Sequence, residues 1–175
     1  MNQKKIPFFK TFFKSSRIKQ FNSLIEIVYF IEKKIYKDMN MGENYNNSNV
    51  ALYQEWGNKN ILVVEDVDVN KIFFDAALRR TNATILWAKN GKEAVEMFQG
   101  NNIDLVLMDL QIPIMDGYAA TREIKKINPD VPVIAQTAHV MSGEREKCFE
   151  AGCNDYLTKP IRLQVLFDTL IRYLN

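Results

Sequence analysis

Leu105-Val106-Leu107-Met108-Asp109-Leu110-Gln111-Ile112-Pro113-Ile114-Met115-Asp116-Gly117 is an apolar run that ends on a carboxylate and breaks into a turn marked by Pro113 and Gly117. A short continuous run of large apolar residues bounded by turn signals is the pattern of a strand buried on both faces. Open α/β sheets keep their ligand crevice at the C-terminal ends of such strands, and that is where Asp109 falls. A second run, Ile61-Leu62-Val63-Val64, ends in Glu65-Asp66 in the same way. Three carboxylates at neighbouring strand ends repel one another unless a cation sits among them. The pattern points to a divalent metal and phosphate chemistry.

Working outward, apolar strands alternate with helical patterns from residue 60 onward. The spacing predicts strands at Ile61–Val64, Thr84–Ala88, Asp104–Met108, Val131–Ala135 and Asp155–Leu157. Helices are predicted over Asn70–Arg80, from Asn90-Gly91 through Phe98, over Tyr118–Ile127, over Ser142–Ala151 with Gly152 as C-cap, and over Arg162–Leu174. Five βα units with short connections imply a doubly wound α/β fold with a five-stranded parallel sheet and helices on both faces. Order 2-1-3-4-5, the flavodoxin-like arrangement, sets strands one and three side by side at the switch point. Glu65, Asp66 and Asp109 then share one crevice.

The chain has 175 residues, 47% hydrophobic and 25% charged, with a net charge of +2. That charge is unevenly placed. Residues 1–40 carry nine basic and three acidic residues, a net +6, and the remainder carries 14 basic and 18 acidic, a net −4. A mildly acidic globular part argues against direct binding to nucleic acid. Residues 1–40 form a basic, amphipathic extension, with Phe21, Leu24, Val28, Ile31 and Ile35 at alternating spacings of three and four. Such a helix could lie on a membrane surface, dimerise, or be the remnant of a larger sensor. A further alternative starts the protein at Met39 or Met41. Residues 41–59, rich in asparagine, read as a linker, and residues 60–175 as the domain. No apolar stretch reaches the roughly 20 residues of a membrane span, and no signal-peptide core is present, so a cytoplasmic location is expected. Cys148 and Cys153 match no metal or redox spacing.

Two more polar groups follow predicted strands: Thr137, next to Ala138, and Lys159, next to Pro160. Each alone has an ordinary explanation: an N-cap for Thr137, a surface lysine for Lys159, a core side chain for Tyr156, a turn for Asp116-Gly117. Their agreement in type, order and strand position is what carries weight. Over residues 60–174, Glu65-Asp66, Asp109 with Pro113 and Met115-Asp116-Gly117, Thr137-Ala138, Tyr156 and Lys159-Pro160 together make the chain resemble a response-regulator receiver domain of two-component signalling. The resemblance implies that Asp109 accepts a phosphoryl group from a histidine kinase or histidine phosphotransfer protein. It implies Mg²⁺, with Mn²⁺ as a substitute, held by Asp66, Asp109 and the backbone carbonyl of Gln111, with Glu65 acting through water. Lys159 and Thr137 would contact phosphoryl oxygens. Thr137 and Tyr156 would act as the switch, and a cis peptide between Lys159 and Pro160 would aim the lysine inward. The output surface would be the face of the fourth helix, fifth strand and last helix, with dimerisation an open alternative. Residues 145–156 are similar to receivers attached to hybrid kinases, which implies a phosphorelay. The chain would then be no enzyme beyond catalysing its own phosphorylation and dephosphorylation.

A rival comes from another class. Asp66-Val67-Asp68-Val69 after an apolar strand resembles the nucleophile motif of haloacid-dehalogenase-type phosphatases, with Asp66 as nucleophile. The two are told apart by which carboxylate becomes phosphorylated, Asp66 or Asp109. His139, the only histidine in the chain, leaves no kinase acceptor helix here and makes the phosphoryl donor another protein. Its place two residues past Thr137 resembles the position that, with Gln111, tunes the lifetime of the acyl phosphate. His139→Ala is therefore expected to change the dephosphorylation rate; a rate equal to that of the wild type would remove the residue from the mechanism.

Overall fold

A computed structural model describes residues 54–138 and 143–175. The basic extension of residues 1–40, most of the linker and His139 lie outside the described residues. Five strands, β1 (Asn60–Val64), β2 (Thr84–Ala88), β3 (Leu105–Asp109), β4 (Val133–Thr137) and β5 (Asp155–Thr158), form one sheet in the order β2-β1-β3-β4-β5. All four pairings are parallel. The helices are α1 (Asp68–Leu78), α2 (Gly91–Gly100), α3 (Gly117–Ile127), α4 (Glu144–Glu150) and α5 (Leu163–Leu174), with a 3-10 turn over Arg79–Thr81 closing α1. The expected fold class, strand order and helices on both faces are what the chain forms. Among the described residues no helix is long and apolar enough to cross a membrane.

The sheet separates two apolar clusters, because successive strand residues face opposite sides. Leu62, Val64, Val106, Met108, Val133 and Ala135 face α2, α3 and α4, where Ala94, Phe98, Ala120, Ile124 and Cys148 cover them. Ile61, Val63, Leu105, Leu107, Ile134 and Leu157 face α1 and α5, against Phe74, Leu78, Leu166, Phe167 and Leu170. β1, β3 and β4 are buried along nearly their whole length, which is why they read as unbroken apolar runs. Cys148 and Cys153 are buried thiols, and the Cys153 Sγ lies 3.9 Å from the Thr121 hydroxyl.

Several boundaries differ from the expected ones for local reasons. β4 runs from Val133 to Thr137 rather than from Val131 to Ala135, because Pro132 has no N–H to give to the ladder. The Val133 N–H is then met by Asn154 Oδ1 at 2.9 Å. α1 opens at Asp68, two residues before Asn70, because the Glu65 side chain turns the chain early by accepting the Val67 N–H at 3.1 Å. Residues 54–59, the end of the expected linker, are packed on the domain. Trp56 is buried, stacks on Phe167 at 6.0 Å and donates its indole N–H to Asn175 at 3.0 Å.

The β3–α3 turn is fixed by a close approach of backbones. A Cβ on Gly117 would stand 2.3 Å from the Asp109 carbonyl oxygen and 2.7 Å from the Leu110 Cα. Asp116 caps α3 there, its Oδ1 accepting the Ala119 N–H at 2.7 Å. We expect Gly117→Ala to cost about 1–3 kcal/mol by overpacking, because backbone must move to admit the methyl. Urea unfolding of the two proteins measures it.

Candidate functional site

The C-terminal ends of β1, β3, β4 and β5 lie side by side, so each strand delivers its last polar residue to one edge of the sheet. Glu65 follows β1, Asp109 closes β3, Thr137 closes β4, and Lys159 follows β5. Asp66, one residue past Glu65, is exposed, whereas Glu65 is fully buried and Asp109 nearly so. One carboxylate oxygen from each of Glu65, Asp66 and Asp109 lies within 4.8 Å of the others.

Lys159 joins two of the three. Its ammonium donates to Glu65 Oε2 at 2.8 Å and to Asp109 Oδ2 at 2.6 Å. The residues are 94 and 50 positions apart in sequence, so these bonds tie β1, β3 and β5 together at the crevice. Burial works against the charged ammonium, but the hydrogen bonds and negative charge of Asp109 and Glu65 outweigh it and raise the Lys159 pKa above its usual value. The other Asp109 oxygen, Oδ1, accepts the Gln111 N–H at 2.9 Å. The peptide bond between Lys159 and Pro160 is cis. The Lys159 N–H is held by the Thr137 carbonyl at 2.7 Å.

Two residues point elsewhere. The Thr137 hydroxyl meets Glu144 Oε2 at 3.4 Å, at the start of α4. Tyr156 lies on the opposite face of the sheet, its ring edge-on to Phe149 at 6.4 Å with the Arg145 guanidinium 5.9 Å above it. Gln111 is exposed. The loop between Asp109 and α3 carries a strained residue, Ile114, at φ 69° and 82% exposed. A β-branched side chain in that region costs about 1–2 kcal/mol.

Sequence reasoning missed two contributors. Lys125 on α3 donates to the carbonyls of Pro129 and Val131 and to Asn154 Oδ1, at 3.0, 2.7 and 2.9 Å, and so pins the start of β4 to β5. Nothing in an exposed-looking Lys-Lys pair announces this. Gln136 is fully buried in β4, and its carboxamide has no hydrogen-bond partner. A polar residue inside Val133-Ile134-Ala135-Gln136-Thr137 was the available signal; ending the predicted strand at Ala135 hid it.

A family model, the response regulator receiver domain, matches residues 61–171. The chain belongs to that family. It is 36% identical over 119 residues to hybrid signal transduction histidine kinase I of Dictyostelium discoideum, covering 63% of this chain and 7% of that protein. The chain thus spans a small part of the kinases it matches. The crystal structure of the receiver domain of sensor histidine kinase PA1611 from Pseudomonas aeruginosa, with magnesium coordinated in its active site cleft, is 40% identical at a TM-score of 0.62. That match covers 66% of this chain and 97% of the other. The receiver domain of Ssk1 from Saccharomyces cerevisiae, solved in complex with the phosphotransfer protein Ypd1, is 30% identical at a TM-score of 0.63, covering 69% and 90%. The chain is a phospho-accepting module of two-component signalling. The haloacid-dehalogenase alternative finds no support: the matched family is another one, and the lysine pairs with Glu65 and Asp109.

The donor set suits a hard divalent cation. Formally, three carboxylates face one ammonium, an excess of two negative charges, and all the ligand atoms are oxygen. If Glu65, Asp66 and Asp109 hold the ion, Mg²⁺ at a hundred times its Kd should add about 2.7 kcal/mol to the unfolding free energy. Denaturant melts at rising MgCl₂ measure this, and Asp66→Ala is expected to abolish the increment. An undiminished increment in that variant would place the ion elsewhere.

Proposed function

We propose that Asp109 is the phosphoacceptor and that Mg²⁺ is held by Asp66, Asp109 and the Gln111 carbonyl, with Glu65 acting through water. The observation that carries this is a buried carboxylate held at 2.6 Å from an ammonium, beside two further carboxylates. In the reaction an Asp109 oxygen attacks the phosphorus of a phosphohistidine. The P–N bond breaks as the P–O bond forms, and the imidazole of the donor leaves with the bond electrons. Such transfer asks the protein for positioning and charge neutralisation and for little else. The ion, when bound, offsets negative charge on the phosphoryl oxygens. The Gln111 N–H fixes the Asp109 carboxylate plane, and Lys159 supplies an ammonium to one phosphoryl oxygen. On this reading the chain catalyses only its own phosphorylation and dephosphorylation.

The donor is a histidine kinase or histidine phosphotransfer protein, in keeping with the partner of the Ssk1 receiver. Val67, next to Asp66 in the β1–α1 loop, and Ile114, in the turn between Asp109 and α3, are exposed and offer apolar contacts to a partner. On this reading the exchange takes place in the cytoplasm, where a kinase draws on ATP.

Phosphorylation adds about −1.5 to −2 charge to the site. Thr137 and Lys159 can each give a hydrogen bond to the charged group, worth on the order of 1.5–3 kcal/mol. Two such bonds approach the roughly 5.5 kcal/mol that turns a 1:99 equilibrium into 99:1. For Thr137 to turn toward the phosphoryl group, its contact with Glu144 must break. Tyr156 would turn inward and leave Phe149 and Arg145, changing the α4-β5-α5 surface that a downstream protein reads.

Asp109→Asn keeps the side-chain shape and one acceptor oxygen, for either the Gln111 N–H or the Lys159 ammonium, but removes the nucleophilic carboxylate. With acetyl phosphate and Mg²⁺, the wild type is expected to gain one hydroxylamine-sensitive phosphate, and the variant none at unchanged far-UV circular dichroism. Retained label in the variant, or label on Asp66, would overturn the assignment.

A further inference from the structure

Gln136 breaks a rule that every other described side chain keeps. It is fully buried, and both Nε2 and Oε1 lack a partner; no other buried side-chain nitrogen or oxygen among the described residues does. A buried amide with no side-chain or backbone partner is costly, and an apolar residue of the same shape would avoid that cost. The residue type therefore needs a reason beyond the resting fold.

Its position supplies one. Gln136 is in register with Asp109 on one side and with Leu157 on the other. Alternation along β4 puts its side chain on the same face as Ile134, toward α1 and α5. Glu65, Asp109 and Lys159 continue the rows of Val63, Leu107 and Leu157 on that face. To reach Asp109 on β3 from the end of β5, the Lys159 side chain must cross β4, and Gln136 is the β4 residue beneath that crossing. Both residues line one cavity of about 200 Å³, together with Asn70, Phe73, Phe74 and Pro160. An ammonium has three donors. Glu65 and Asp109 take two of them.

We propose that Gln136 is a positioning residue for phosphoryl transfer: its Oε1 accepts a hydrogen bond from the Lys159 ammonium when that ammonium turns from Glu65 toward a phosphoryl oxygen. This rests on Asp109 as the acceptor. The carboxamide is idle in the resting state and engaged in the loaded one. It steadies the lysine arm at the moment one of its two carboxylate partners is given up. Gln136 touches neither the phosphorus nor the ion.

The test uses the full 175-residue chain. Gln136→Leu and Gln136→Met, the second closest in shape, are phosphorylated with acetyl phosphate over a range of Mg²⁺. We expect both variants to melt a few degrees higher than the wild type, because a buried unpaired amide is gone. We expect their maximal phosphorylation rate to fall about tenfold, the size of one hydrogen bond to a charged group, at an unchanged half-saturating Mg²⁺. A merely structural residue would raise the melting temperature and leave the rate alone. The unmutated chain gives an answer that does not depend on a variant folding. Beryllium fluoride, a phosphoryl mimic, should shift the Gln136 side-chain amide resonances. A rate within about twofold of wild type in either folded variant overturns the proposal, as do amide resonances unmoved by beryllium fluoride. Label still arriving on Asp109 in those variants would leave the acceptor assignment standing while this one falls; absence of label in the wild type would end both.

Discussion

The Lys159 ammonium, shared between Glu65 and Asp109, is the contact on which the site depends. Without a cation, two carboxylates of low exposure face a third at the same sheet edge. Removing one partner from such a buried pair leaves an uncompensated charge and typically costs 3–5 kcal/mol. The lysine joins β1, β3 and β5 and lets the crevice exist before any ion arrives. Its raised pKa follows from the same geometry, since two anionic acceptors outweigh its burial. A single cationic group thus holds the resting site together and is placed to meet an incoming phosphoryl oxygen.

The fold was open to reading in the sequence because parallel strands buried on both faces have nowhere to put polar residues. Ile61–Val64 and Leu105–Met108 could be little else, and turn residues separated them from helical spacing. The strand order followed from short right-handed crossovers. Glu65, Asp66, Asp109 and Lys159 were legible for a related reason: charge right after an apolar strand falls at the sheet edge, and the structure brings these four together. Their roles in transfer came from the family resemblance, not from spacing.

What stayed hidden were contacts made by residues whose local pattern has an ordinary explanation. Lys125 sits among exposed charges on α3, and only the fold reveals that its ammonium closes the start of β4. Trp56 stood at the edge of an asparagine-rich stretch, yet it packs on Phe167 from the far end of the chain. The pairing of Glu65 with Lys159 crosses 94 residues, beyond any periodicity. β4 was set two residues early because Val131 continues the apolar run, while Pro132 forbids the ladder there; that shift is what concealed Gln136.

The departures from ordinary folding rules are not scattered. Clustered carboxylates, a β-branched residue at positive φ in Ile114, and an unpaired buried amide in Gln136 all lie at the C-terminal edge of the sheet or in the loops that leave it. At the opposite edge, among the described non-glycine residues, only Asn82 before β2 takes a positive φ, 58°, which asparagine tolerates. Natural sequences hold such violations where function demands them, and well-packed regions elsewhere supply the compensating stability. Here the compensation is visible as two sealed cores on either side of β1, β3 and β4. These make the strand ends rigid enough to hold like charges and an idle amide in place. The site is therefore a strained edge on an unstrained sheet. A charge delivered to that edge meets groups that can exchange partners: Lys159 is shared between two carboxylates, and the Gln136 carboxamide has none.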